Sequence, residues 1–250
     1  MNVALYSRGA NRWAMTERGR TGLVRDAATL AIGPSALHWD GDALTIDLAE
    51  TCAPVRRRVR GRVCVHPQAL VGEAFALDAA GRHRWCPIAP RARVEVTLTK
   101  PSLAWSGEGY LDTNAGTEPL EAGFARWDWS RAHRRDDTAI LYDAARRDGS
   151  TFGLALRIDA HGKVTHAGPP PLTPLPRTLW RMARATRADA GTLPGVQRTL
   201  EYSPFYARAT IATRLFGEEA LAVHETLSLD RFAQPWVRCM LPFRMPRAIG

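Results

Sequence analysis

Apolar and polar residues alternate with a period of two along most of the chain. Leu44, Ile46 and Leu48 are separated by Thr45 and Asp47, and Ala92, Val94, Val96 and Leu98 by Arg93, Glu95 and Thr97. Such alternation puts the apolar side chains on one face of a half-buried strand. The segments Thr151–Ile158, Leu179–Thr186, Ala207–Leu215 and Ala220–Leu229 read as further strands, each bounded by Gly, Pro or Asp. Turn signals recur at Asp40-Gly41-Asp42, Ala80-Gly81, Asp148-Gly149, His161-Gly162 and Phe216-Gly217. Only Pro67–Leu70 and Ser228–Phe232 suggest a turn of helix. Many short strands joined by hairpins predict an all-β, antiparallel protein closed into barrels or sandwiches. The Pro-rich connector Gly168–Pro176 is unsuited to a central strand. The Gly/Pro/Glu-rich stretch Gly116–Gly123 is the better divide, giving domains 1–120 and 121–250.

Composition narrows the class. The 250 residues are 45% hydrophobic and 24% charged, which suits folded domains with real cores and excludes bulk disorder, collagen and coiled coil. No apolar run reaches the roughly 18 residues of a membrane-spanning helix, and Met1–Trp13 lacks a secretory pattern. The expected location is therefore the cytoplasmic side. A net charge of +9 raises nucleic acid as a partner, but all the basic residues except Lys100 and Lys163 are arginine, a bias that fits codon preference. The densest cluster, Arg56, Arg57, Arg58, Arg60 and Arg62, mostly alternates with Val59, Gly61, Val63 and Val65 as on the solvated face of a strand. No nucleic-acid partner is expected, whereas an arginine-rich face would also suit an anionic membrane. Cys52, Cys64, Cys86 and Cys239 form no C-x-x-C pair and no zinc spacing, so they read as reduced thiols, and no metal site is expected. Nucleotide-binding, flavin-binding and serine-hydrolase motifs are missing.

The chemistry-bearing residues concentrate between Gly81 and Arg131. Arg82-His83-Arg84-Trp85 puts His83 and Trp85 on one strand face, and the plainer reading is a strand end with an exposed His beside a packed Trp. Gly107–Pro119 places Glu108, Tyr110, Asp112 and Asn114 on one face; the nearby Trp105 and the glycines tilt an otherwise ordinary solvent face toward a site. Phe124, Trp127 and Trp129 follow closely, as core or as ligand wall; the pattern leaves both open. His224 reads as structural.

The motif G-Y-L-D-T-N-A-G-T-E-P-L-E followed by F-A-R-W-D-W-S-R resembles the carotenoid 1,2-hydratase (hydroxyneurosporene synthase) family of phototrophic bacteria. Asn2–Tyr6, Arg12–Gly19, Pro176–Trp180 and Arg238–Arg247 extend the resemblance over essentially the whole chain. It implies two tandem lipocalin-like antiparallel β-barrels. The first would be incomplete, because family members carry a further N-terminal segment before Asn2–Tyr6. It further implies hydration of the terminal C1–C2 double bond of acyclic carotenoids such as neurosporene and lycopene, with no cofactor. So apolar a substrate implies peripheral attachment to the inner or intracytoplasmic membrane and contact with other carotenoid-biosynthesis enzymes. Carried over from the motif, Asp112 is the expected acid, with Tyr110 and His83 at the reacting end and Trp85 as aromatic wall. Trp105, Glu108, Asn114, Trp127 and Trp129 are candidates for lining the substrate, and Glu118, like Glu108, is a reserve carboxylate. Which of Tyr110 and His83 handles the water stays open. The competing reading is a non-catalytic lipocalin-like binder of isoprenoids or other lipids, which would need the aromatics but no acid.

Overall fold

The structure is a computed structural model that describes every residue except Arg8, Ala10, Ile249 and Gly250, with Ala248 described for its backbone alone. It is all-β, and its strands pair antiparallel, as the alternation predicts, except for one short parallel pair between Glu17–Arg18 and Arg247–Ala248. Early short strands are β1 (Asn2–Leu5), β2 (Arg12–Met15) and β3 (Glu17–Arg18). They are followed by β4 (Leu23–Arg25), β5 (Thr29–Ile32), β6 (Ser35–Trp39), β7 (Leu44–Thr51) and β8 (Arg58–Pro67). Then come β9 (Phe75–Ala76), the long β10 (His83–Lys100) and β11 (Ser102–Gly116), and the single turn α1 (Leu120–Gly123). The remainder holds β12 (Phe124–His133), β13 (Asp137–Arg146), β14 (Thr151–Asp159), β15 (Val164–His166), β16 (Leu172–Leu175) and β17 (Arg184–Arg187). It ends with β18 (Gly195–Tyr202), β19 (Tyr206–Leu215), β20 (Glu218–Ser228), α2 (Leu229–Phe232), α3 (Pro235–Arg244) and β21 (Arg247–Ala248).

The chain forms two compact units. The first comprises Met1–Gln68, Ala92–Tyr110 and Arg238–Gly250; the second comprises Ala69–Arg91 and Leu111–Val237. In the first, strands follow the order β11-β10-β8-β7-β6-β5-β4, an open path among the described residues. Val59 and Val65 of β8 point inward while Arg58, Arg60 and Arg62 stay in solvent, so the arginine cluster is the wet face of a strand. Its buried apolar groups are small sets around Val96 and Leu98 and around Ala14 and Val59. Glu50 is also buried there. It receives Arg18 in a fork of 2.8 and 3.0 Å and the Ser35 hydroxyl.

In the second unit the order β15-β14-β13-β12-β20-β19-β18 is likewise an open path among the described residues. Its core collects Ala132, Ala139, Leu141, Ala155, Ile211, Leu215 and Ala222. The β19–β20 hairpin turns on Phe216 and Gly217, both at positive φ, as a tight hairpin turn requires.

Three local expectations are corrected. Leu179–Thr186 is a strand only from Arg184. Thr178 closes a turn by accepting from the amides of Arg181 and Met182, which leaves Leu179 and Trp180 outside. Pro67–Leu70 is no helix; Pro67 ends β8 in register with Ala92. The ten-residue α3 went unforeseen, although Pro235 at its first turn suits a helix start, where the missing N–H has no intrahelical partner to lose. The Pro-rich connector does stay out of the large sheets, contributing β16 to a two-stranded ribbon with β17.

Candidate active site

The site is built in the second unit from the turn that precedes β10. Asp78 Oδ1 accepts from the amides of Ala80 (2.9 Å) and Arg82 (3.2 Å), and Gly81 adopts φ +66°, open to glycine without a Cβ penalty. The Leu77 amide donates to the His83 carbonyl over 2.9 Å, which fixes where β10 starts. Alternation then turns His83 and Trp85 inward and Arg84 outward. The exposed histidine of the plainer sequence reading is thereby corrected: His83 is 2% exposed and Trp85 is wholly buried.

Asp112 lies half-buried on β11, and its Oδ2 accepts from Trp85 Nε1 at 2.8 Å. An indole N–H has this one hydrogen to give, and here it is given to the Asp112 carboxyl, which it helps to orient. Around the pair stands an aromatic wall. Trp85 packs at 5.7 Å from both Phe75 and Tyr142, and Tyr142 continues to Trp127 at 6.2 Å and Phe152 at 6.3 Å. Burial, with the Asp112 and Glu225 carboxylates nearby, pushes the Tyr142 hydroxyl above its ordinary range, so it stays a neutral phenol.

The His83 ring is held from several sides. Phe124 meets it edge-on at 4.9 Å between centroids. A Cβ on Gly116 would come within 3.1 Å of its Cδ2, and one on Gly123 within 2.9 Å of its Cε1, so both glycines make room for the imidazole. Asp78 Oδ2 accepts from the His83 amide at 2.7 Å and lies 3.1 Å from ring Nδ1, while the buried Nε2 has no hydrogen-bond partner. Burial works to raise the Asp78 pKa, but the His83 and Arg82 amides, the His83 ring and the Ala80 amide together hold it below the usual carboxylate range. Glu118 Oε2 pairs with Arg82 at 3.0 Å, and its Oε1 stays 3.9 Å from His83 Nδ1.

The other expected residues divide. Tyr110 is half-buried on β11, two positions before Asp112, and falls at the end of the first unit's segment. Trp105, Glu108 and Asn114 are exposed on β11, which is the end strand of its sheet. Trp127 is half-buried and joins the aromatic wall, whereas Trp129 is buried in β12. His224 donates from Nε2 to the Ala185 carbonyl at 2.8 Å, and burial lowers its pKa to about 4, in line with a structural role. Asp78, Phe75 and Tyr142 were not foreseen. Asp78 had a signal, an Asp three residues before Gly81 in a turn; Tyr142 had none beyond being an aromatic in a strand. Among the described residues no group of three His, Cys, Asp or Glu is placed to hold a metal.

A family profile described as carotenoid hydratase CrtC matches residues 1–250. The chain belongs to the CrtC carotenoid hydratase family. Over 251 residues this CrtC-family chain is 55% identical to the acyclic carotenoid 1,2-hydratase of Thiocapsa roseopersicina, covering all of the chain and 62% of the relative. The enzyme of the same description from Rubrivivax gelatinosus is 47% identical over 99% of the chain and 61% of its own length. That from Cereibacter sphaeroides is 41% identical over all of the chain and 89% of its own. The chain thus spans about three-fifths of the first two relatives. Among solved structures, a putative AttH from Nitrosomonas europaea superposes with TM-score 0.59 at 14% identity, over 84% of this chain and 72% of that one. CghA with Sch210972 gives 0.54 at 12%, over 91% and 74%. These likenesses show the fold alone.

Proposed function

We propose that this chain hydrates the terminal C1–C2 double bond of acyclic carotenoids such as neurosporene and lycopene, giving 1-hydroxy carotenoids without a cofactor. The observation that carries this reading is the Asp112 carboxyl held by Trp85 Nε1 within an aromatic wall. An isolated alkene must be protonated on carbon first. The Asp112 carboxylic acid gives its proton to C2, and the electron pair of the double bond forms the new C–H bond. A tertiary cation remains at C1, and faces such as those of Trp85 and Trp127 stabilise a nearby cation by about 2 kcal/mol when water is excluded. Water adds to C1 and loses one proton to a base, Tyr110 or His83. Return of that proton to the Asp112 carboxylate restores the acid, so the reaction consumes only alkene and water.

Two tandem lipocalin-like domains, over 1–120 and 121–250, are part of the same proposal, as is peripheral attachment at the cytoplasmic face of a membrane near other carotenoid-biosynthesis enzymes. No described helix is long and apolar enough to cross a membrane. The exposed Trp236, Met240 and Phe243 recur at helical spacing on α3 beside Arg238 and Arg244, the composition of an interfacial helix. Recovery wholly in the soluble fraction at low salt would speak against attachment.

The test of the activity is incubation of the chain, and of a version extended upstream, with lycopene, followed by mass spectrometry of the extracted pigment. Products heavier by one water are expected. Bound pigment with no water gained, under conditions where a relative's hydratase works, would establish the non-catalytic binder instead.

A further inference from the structure

The hydration reading leaves two candidates for the base, and the surroundings of His83 choose between them. Asp78 uses its two oxygens differently. Oδ1 closes the turn through the Ala80 and Arg82 amides, whereas Oδ2 takes the His83 amide at 2.7 Å and faces ring Nδ1 at 3.1 Å. A carboxylate only accepts, so the hydrogen between Oδ2 and the ring must sit on Nδ1. In the neutral imidazole Nε2 then carries a lone pair and no hydrogen. That nitrogen is buried without a partner in a side chain only 2% exposed. Leaving such an atom unsatisfied costs about 1–3 kcal/mol, which a water or a reacting group arriving there would remove. Two glycines and the edge of Phe124 keep the ring from rotating away. Glu118 is no substitute for Asp78, at 3.9 Å from Nδ1 and with its other oxygen engaged by Arg82.

We propose that Asp78 is a positioning residue that holds His83 in its Nδ1–H form, so that the bare Nε2 takes the proton of the attacking water. The inference rests on the hydratase reading for its chemistry, though not for its structural half. As the water oxygen bonds to C1 of the cation, one O–H bond breaks, its electron pair stays on oxygen, and the proton goes to Nε2. The imidazolium so formed has both N–H groups, one of them on the Asp78 carboxylate that stabilises it. An acceptor-only partner fixing the useful tautomer is the role the buried Asp plays in a Ser-His-Asp triad.

The experiment is the 15N spectrum of histidine-labelled protein, with the His83→Gln variant used to assign the His83 signals. Hydration of lycopene is measured on the same samples. In the parent chain we expect a protonated Nδ1 and an unprotonated Nε2. Asp78→Asn presents an amide N–H to Nδ1, reverses the tautomer, and lowers kcat at least about 10²-fold with little change in KM. Glu118→Gln should leave the tautomer as it is. A parent chain with hydrogen on Nε2 would overturn the proposal even if the variant fails to fold. A folded Asp78→Asn protein with turnover within threefold of the parent would overturn it as well. Absence of hydration by the parent, with the Nδ1–H tautomer present, would instead count against the activity reading.

Discussion

The indole N–H of Trp85 ends on Oδ2 of Asp112 at 2.8 Å, joining two residues 27 positions apart in the chain. The bond explains how a carboxyl on an end strand is kept in one orientation.

Asp112→Asn keeps an acceptor for Trp85 and the shape of the side chain, and removes the transferable proton. Turnover of lycopene should fall at least about 10²-fold, with carotenoid binding and the thermal melt retained. Near-normal turnover in a folded variant would remove Asp112 from the role of acid and make Glu118 or Glu108 the next carboxylate to replace.

Gly123→Ala would place a Cβ 2.9 Å from His83 Cε1. The imidazole is the group most able to give, because the backbone there is tied by the Arg147 amide to the Gly123 carbonyl at 3.0 Å. We expect a destabilisation of about 1–3 kcal/mol from overpacking and a turnover loss beyond what the melt accounts for. Unchanged kinetics would mean that the ring position is not critical.

His224 should make the protein acid-sensitive. Burial holds its folded pKa at about 4 against an ordinary 6.5, so the unfolded chain binds the extra proton first as pH falls. The associated stability is present above about pH 6.5 and is lost between there and about pH 4, to the extent of about 3 kcal/mol. Arg126 and Arg184 nearby act in the same direction, whereas Asp143 opposes. Asp128, whose pKa burial raises, gives a slope of the opposite sign, so the histidine's share is read from the difference between the parent and a His224 variant. Denaturant melts of the parent and of His224→Gln across this range should converge as pH falls.

Arg18→Met in the first unit should strand the buried Glu50 carboxylate with the Ser35 hydroxyl as its remaining side-chain donor among the described residues. Removing one partner of a buried pair costs about 3–5 kcal/mol. A chemical denaturation midpoint equal to the parent's would show that Glu50 is hydrated or protonated in the folded state.

The sequence by itself determined the class of fold and the inward face of the key strands. Alternation at period two requires strands, and it places His83 with Trp85, and Tyr110 with Asp112, on shared faces whatever the tertiary arrangement. It also marked the arginine cluster of β8 as a wet face. Tertiary structure decided what those faces meet. Asp112 reaches Trp85 because β10 and β11 are sheet neighbours, and Tyr142 joins them from β13, a distance in sequence that no local pattern encodes. Burial of His83 was likewise invisible locally, since an imidazole at a strand end is ordinarily wet. Only the cover supplied by Phe124 and the close approach over Gly116 and Gly123 make it dry. Leu179 and Trp180 show the reverse case: alternating residues whose backbone Thr178 diverts into a turn, because a local hydrogen bond there outcompeted the ladder.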